Sequence, residues 1–402
     1  MPADREVLQG VSPPWRLPVP CVRLERKRSF PVGEKEIDGL KTVLLTILVF
    51  GVIITLHELG HFAFCKLFGV RVHEFSFGMG PRLFGWGKGE TQYSIRLLPI
   101  GGYVAMEGED EESQDGRAFC NRPPWQRFII LFAGAGMNLL LGLVLLGIST
   151  SQMNLLGTNV VARIEEGAAS AAYLQSGDRI IEVNGYNTPC YNDVVFQLIR
   201  DEDGVVDLTV QRGGDLSMSS WERFLAGFGI GEKNPGEQVV LSQVPFEMED
   251  VGGGQRSLKI DFVFYGAEPN LGNSVVYTFQ WTVSTVKQVW YSLLDIVTGR
   301  FGLSQLSGPV GTATVIQQAS DQGLRSLVIL VAYITINVGV FNLLPIPALD
   351  GGRMFFLLVG MLLRRPIPAK YEAYINAAGM ILLLGFVGVV TFSDIMKLFA
   401  KP

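Results

Sequence analysis

Long uncharged apolar runs alternate along this chain with polar, glycine-punctuated stretches, and the runs set the architecture. Thr42 to Leu56 carries no charged residue, and the hydrophobic segment it belongs to extends from Lys41 to about Val70. With ~20 residues needed to cross a bilayer as a helix, this segment predicts a first transmembrane helix. Phe128 to Ile148 is uncharged throughout and predicts the second, with Gly134, Gly136 and Gly142 allowing close helix approach. Ser326 to Leu349 and Ala373 to Ser393 predict the third and fourth. Tyr277 to Phe301 has apolar residues at helical spacing but includes Lys287, Asp295 and Arg300, which predicts an interfacial amphipathic helix rather than a crossing.

Between the spans the period changes to that of strands. Val72 to Phe77, Leu83 to Trp86 and Gln92 to Leu97, the last following the turn Gly87-Lys88-Gly89-Glu90, read as hairpin strands. With Leu98 to Val104 they predict a β-region dipping toward the bilayer surface, where bare strand edges persist only if buried in protein or facing a wet cavity. Glu107 to Asp115 reads as a solvated acidic loop. From about Gly157 to Gln280 short alternating segments such as Val160 to Ile164, Gly177 to Gly185 and Asp207 to Val210 predict a small β-rich domain. Asp193 to Arg200 reads as a helix in it, Gly213 to Gly254 as a poorly patterned insertion, and Leu258 to Phe264 as the last strand. The expected layout is a polar extension over 1–39, a membrane half over 40–150, the β-rich domain over 151–276, and the interfacial helix with a second membrane half over 277–402.

Composition supports a membrane protein, since the 402 residues are 48% hydrophobic and only 18% charged. The net charge of −5 is spread without any basic, aromatic-interleaved block, which excludes nucleic acid as a partner. Cys21, Cys65, Cys120 and Cys190 are far apart, form no C-x-x-C pair and give no disulfide framework. Cys65 reads as a small buried apolar residue.

The chemistry concentrates at His57-Glu58-Leu59-Gly60-His61, at the end of the first apolar run. On a helix His57 and His61 share a face, so two imidazoles can hold one Zn²⁺ while Glu58 serves as base. Ionisable groups at membrane depth are expensive and call for a compensating partner, and two of the chain's three histidines sit here. The third, His73, reads as a solvated strand histidine. Catalytic zinc takes three protein ligands, and Asp350, after Asn342-Leu343-Leu344-Pro345-Ile346-Pro347-Ala348-Leu349, is the best third. The prolines break the helix, so that Asp350 would emerge on an unwound segment. An ordinary turn role before Gly351-Gly352 is its alternative. Asn342 is placed either to hydrogen-bond substrate backbone or a developing oxyanion, or to satisfy a helix carbonyl. The chemistry implied is amide hydrolysis.

Together with Phe77 to Pro81, Pro99 to Val104 and Ser307 to Gly311, these motifs resemble the bacterial site-2 proteases, closest to the RseP-like intramembrane zinc metalloproteases, over most of residues 40–402. The resemblance implies a polytopic α-helical membrane protein of four transmembrane helices with a membrane-associated β-hairpin region and an inserted PDZ domain. It makes His57, His61 and Asp350 the zinc ligands and Glu58 the catalytic base. It implies single-span membrane protein substrates such as anti-sigma factors, cut after an upstream site-1 protease. The alternative is a non-catalytic membrane-anchored PDZ adaptor, which has no need of Glu58 or Asp350. The insert resembles a PDZ domain at Gly177 to Ile180 and Val183 to Gly185; it either binds extended peptide by strand addition or gates access. The hairpin either accepts an unwound substrate at an edge within Tyr93 to Leu97 or Pro99 to Val104, or only packs on the helices.

Basic residues place the Asp350 to Glu372 loop and the first connector on the cytoplasmic side, with the β-rich insert extracytoplasmic and the active site toward the cytoplasm. Seven basic residues before Lys41 conflict with an outside N-terminus. The expectation is a translation start at Leu40, through a leucine-type codon, with residues 1–39 not translated; a tolerated extracellular tail is the alternative.

Overall fold

The computed structural model describes residues 32–400 apart from residues 88, 110, 215–235, 253–254, 301–306 and 366–367. Most of the N-terminal extension, residues 1–31, and the middle of the 213–254 insertion thus lie outside the described residues. Among the described residues four helices are long and apolar enough to cross a membrane: Gly39–Leu67, Pro124–Ser151, Leu324–Leu343 and Lys370–Met396. They belong to α1 (Val32–Leu67), α2 (Pro124–Ser151), α6 (Leu324–Leu343) and α8 (Ala369–Ala400). Helix α1 therefore begins upstream of the apolar run, inside the segment expected to be untranslated.

Helix α2 is the hub. Pro124 opens it at the position where a missing N–H costs nothing. Of its most apolar stretch 44% is buried, against 17%, 28% and 11% for the other three spans in chain order. Its glycines explain this: a Cβ on Gly142 would come within 2.3 Å of Ile336 on α6, and one on Gly60 of α1 within 2.3 Å of the Ala133 carbonyl. Small residues at these contacts let the backbones approach closely.

Strands β1 (Val72–Trp86) and β2 (Gln92–Met106) are longer than the short segments the pattern predicts. Each bends rather than stops. Positive φ at Gly78, Gly80 and Gly101 lets the chain turn while pairing continues. Val72 to Phe77 consequently pairs on one side with Gln92 to Ile95 and on the other with Gly102 to Met106, while Phe84 to Trp86 pairs with Tyr93 to Ile95. Tyr93 to Ile95 is flanked on both sides, leaving Gly102 to Met106 as an edge.

The insert is a six-stranded antiparallel sheet of order β10-β3-β4-β6-β7, with β5 beside β4. Its strands are β3 (Leu156–Ile164), β4 (Arg179–Val183), β5 (Tyr186–Asn187), β6 (Val205–Arg212), β7 (Glu237–Pro245) and β10 (Phe262–Ala267). A separate pair, β8 (Met248–Gly252) with β9 (Gln255–Leu258), lies between. Helix α3 (Tyr191–Ile199) closes a core of Val161, Ile180, Val194, Leu198, Leu208 and Val244. Two expectations are corrected here. The 213–254 stretch holds a full sheet strand, β7, which the pattern hides because a bulge at Gln243 (φ 53°) slips the alternation, so that Val244 is buried while Val240 is exposed. The last strand does not run from Leu258 to Phe264. It breaks at Asp261, whose buried carboxylate accepts from the Ser170 backbone N–H (3.1 Å) and hydroxyl (2.7 Å).

Helix α4 (Leu271–Val297) starts earlier than the predicted Tyr277, at a reciprocal cap in which the Asn270 and Asn273 side chains each accept the other's backbone N–H. Its Tyr277 and Trp281 pack with Leu146 and Ile336. Its Asp295 forms a buried ion pair with Arg200 of the insert, so this charge marks an internal contact rather than a solvated helix face. Helix α5 (Pro309–Gln322) has no counterpart in the apolar pattern. Its start is fixed by the buried Asp394 carboxylate of α8, which accepts from Gly308 N–H and Gly311 N–H at 2.8 Å each.

The third predicted span, Ser326 to Leu349, is too long. Helix α6 ends at Leu343 because Leu344 precedes Pro345 and is extended (φ −68°, ψ 145°). The chain then turns and restarts as α7 (Asp350–Leu363), so the segment expected as a loop is mainly helix.

Candidate metal centre

The centre is assembled from three helices. One turn of α1 sets His57 and His61 on the same side, and they are 8% and 5% exposed. Asp350 comes from the other half of the chain, as the first residue of α7 rather than on an unwound segment. The glycines after it explain the placement. A Cβ on Gly351 would lie 2.1 Å from the Leu344 carbonyl oxygen, and one on Gly352 2.4 Å from that of Ile346. Only glycine lets the connector fold this tightly onto the start of α7.

His57 Nε2 and His61 Nε2 are 3.2 Å apart, and Asp350 Oδ2 lies 3.0 Å from the first and 3.3 Å from the second. Donors held at 2.0–2.2 Å by a tetrahedral zinc ion are separated by about 3.3–3.6 Å, so this triangle is close to the size one ion requires. Asp350 Oδ2 is buried and finds no hydrogen bond of good geometry among the described residues. An oxygen lone pair facing two ring nitrogens without a directed hydrogen bond fits a shared cation.

Helix α2 is the third wall. His61 Nδ1 donates to the Ile130 carbonyl at 2.8 Å, leaving the Nε2 lone pair for the centre. One turn on, a Cβ at Gly134 would stand 2.3 Å from His61 Nε2 and 2.8 Å from His57 Cε1, so only glycine leaves room for the rings. A further turn brings the wholly buried Asn138, whose Nδ2 lies 3.3 Å from His57 Nδ1. Residues 130, 134 and 138 form one helical stripe against the two histidines.

Glu58 is half-buried beside them, with Gly102 of the β2 edge packed against its Cγ; a Cβ on Gly102 would be 3.4 Å from it. Asn342 is half-buried in the last turn of α6 and, among the described residues, contributes no hydrogen bond to the three converging side chains. His73 pairs with Glu107 at 2.6 Å on an exposed strand, away from the centre as the pattern predicts. Cys65 is fully buried against Met106. A cavity of about 300 Å³ opens between α2, α7 and α8, lined by Leu131, Arg127, Glu109 and Arg353.

Residues 45–386 match peptidase family M50. The chain belongs to that family, the site-2 proteases. A Clostridium perfringens protein described as a zinc metalloprotease is 34% identical over 356 residues, covering 88% of this chain and 98% of the relative. A Fusobacterium nucleatum protein of the same description is 34% identical over 364 residues, 89% and 99% of the two chains. The zinc metalloprotease RasP of Shouchella clausii is 29% identical over 444 residues, 90% of this chain and all of the relative (100%). This M50 protein is accordingly a zinc metalloendopeptidase on a multi-pass membrane scaffold.

The sequence pointed to His57, His61 and Asp350, which converge, and to Glu58 beside them. It did not point to Asn138, and it gave Gly134 only as a glycine allowing close helix approach. A signal for Asn138 was present: it is the one residue with a hydrogen-bonding side chain between Phe128 and Ile148, and a polar group at that depth needs a partner.

Proposed function

We propose that this M50 peptidase cuts peptide bonds within the membrane-spanning segments of single-span proteins, with His57, His61 and Asp350 holding zinc and Glu58 as the catalytic base. The observation that carries the reading is the convergence of three buried donor atoms, 3.0–3.3 Å apart, at the end of an apolar span. Zinc bound there supplies Lewis-acid polarisation of the scissile carbonyl and brings the pKa of water to about 7. Glu58 takes the proton from the attacking water and returns it to the departing amine. Asn342, in the turn before the Asp350 connector, donates to substrate backbone or to the developing oxyanion. A substrate helix must unwind before its carbonyls can be reached. The Gly102 to Met106 edge, with Gly102 against Glu58, then accepts the unwound segment as an added strand.

In this reading residues 151–276 form a PDZ-like unit on the extracytoplasmic side that admits or selects substrates already shortened by an upstream site-1 protease, anti-sigma factors among them. The active site faces the cytoplasm, toward the basic loops. The test is reconstitution of Glu58→Gln in vesicles with candidate single-span proteins. The variant should retain zinc and accumulate uncut, bound substrate that wild-type enzyme cleaves. Cleavage at the wild-type rate by Glu58→Gln would remove Glu58 from the mechanism.

A further inference from the structure

Each ligating imidazole has a second ring nitrogen, and its partner decides which tautomer the ring adopts. For His61 the partner is plain: Nδ1 donates to the Ile130 carbonyl, and Nε2 is left to face the centre. For His57 the group at that position is the Asn138 carboxamide, with Nδ2 placed 3.3 Å from Nδ1. In that orientation an N–H donor faces Nδ1, while the buried Oδ1 has no hydrogen-bond partner among the described residues. A neutral imidazole whose Nε2 lone pair points at zinc carries its proton on Nδ1 and must donate there. The O and N ends of a carboxamide are isosteric and interchange by a half-turn about the Cβ–Cγ axis. After that rotation Oδ1 lies where Nδ2 was, within reach of the His57 Nδ1 proton.

We infer that Asn138 is a positioning residue of the metal centre, its carboxamide oxygen accepting the His57 Nδ1 proton and so fixing the tautomer and plane of that ligand. Helix α2 then orients both histidines by the same device, a backbone carbonyl at 130 and a side-chain carbonyl at 138, two helical turns apart. This inference rests on His57 being a zinc ligand.

The test is zinc affinity of the full chain in detergent, measured by competition with a chromophoric chelator. Asn138→Leu, which removes the acceptor, should weaken zinc binding about 10- to 100-fold. Asn138→Asp, which keeps an acceptor in place, should stay within about threefold of wild type. Thr335→Val removes the hydroxyl that donates to the Asn138 backbone carbonyl (3.3 Å) and disturbs the same helix contact without touching the carboxamide; its zinc affinity should be unchanged. Wild-type affinity in Asn138→Leu overturns the inference. So does equal weakening in Asn138→Asp and Asn138→Leu, which would make the amide a donor to His57.

Should either variant not fold, the unsubstituted zinc-loaded protein decides the question by solid-state NMR, because only three histidines contribute ring signals. A protonated His57 Nδ1 in contact with the Asn138 carbonyl carbon is expected. A bare Nδ1 facing the amide protons overturns the proposal. Zinc retained at full affinity by His57→Ala would sink the underlying ligand assignment, whereas its loss there with retention in Asn138→Leu would sink this inference alone.

Discussion

Adding one methyl group at Gly134 tests whether α2 shapes the metal centre. The Cβ of Gly134→Ala would lie 2.3 Å from His61 Nε2 and 2.8 Å from His57 Cε1. Relaxed heavy-atom contacts are about 3.5 Å, so the ring or the helix must move by roughly 1 Å. Metal sites tolerate ligand displacements of only about 0.2 Å. Overpacking of this kind costs about 1–3 kcal/mol, and that amount placed wholly on the zinc-bound state weakens affinity by about 5- to 150-fold.

Gly142→Ala is the matched control. Its Cβ would meet Ile336 Cγ1 at the same 2.3 Å, on the same helix, but against α6 instead of the histidines. Both variants should lose thermal stability in detergent, and only Gly134→Ala should lose zinc when titrated against a chelator. If Gly134→Ala binds zinc as tightly as wild type, or if the two variants lose it equally, α2 does not set the ligand geometry.

Asp350→Ala should release zinc on dialysis, because it removes one of three converging donors; full metal content and activity in that variant would exclude Asp350 as a ligand. Arg200 and Asp295, 7% and 4% exposed in their side chains, join the insert to α4, with the Arg200 guanidinium against both the Tyr186 and Tyr291 rings. Asp295→Asn leaves the guanidinium buried without its counter-charge and should destabilise this junction by about 3–5 kcal/mol, read as faster hydrogen exchange in α3 and the end of α4. Unchanged exchange would show the pair to be dispensable. Hydrogen bonds from Arg117 and Lys66 hold the Glu90 carboxyl down to about 2. Because the folded-state value is depressed, this contact is complete at neutral pH and is lost as pH falls from the ordinary carboxylate range toward 2. A ¹³C carboxyl titration should show that midpoint, and Arg117→Gln should move it upward; an ordinary midpoint in the wild-type protein would contradict the clamp.

Much of this protein follows from short-range rules. Apolar run length gave the four spans, since helix rise and bilayer thickness are fixed quantities. The i, i+4 spacing of His57 and His61 placed two imidazoles together for the same local reason, and Pro345 and Pro347 marked a helix break, although the predicted span ran past α6 to Leu349. What the sequence left open lies in contacts between distant segments. It does not reveal that Tyr93 to Ile95 is paired on both sides while Gly102 to Met106 is an edge, because that register depends on bends at glycines which read locally as turns. It hides β7, whose bulge at Gln243 slips the alternation, and it gives Asp295 the look of a surface charge although Arg200 buries it. The Asp350 carboxylate was a reasonable ligand on composition alone. Its approach to within 3.0 Å of His57, from the far half of the chain, was decided by the Gly351-Gly352 turn and the packing of α7 on α2. Gly134 and Asn138 acquire meaning only there, because a stripe of α2 has no chemistry until tertiary packing lays it against two histidines of α1.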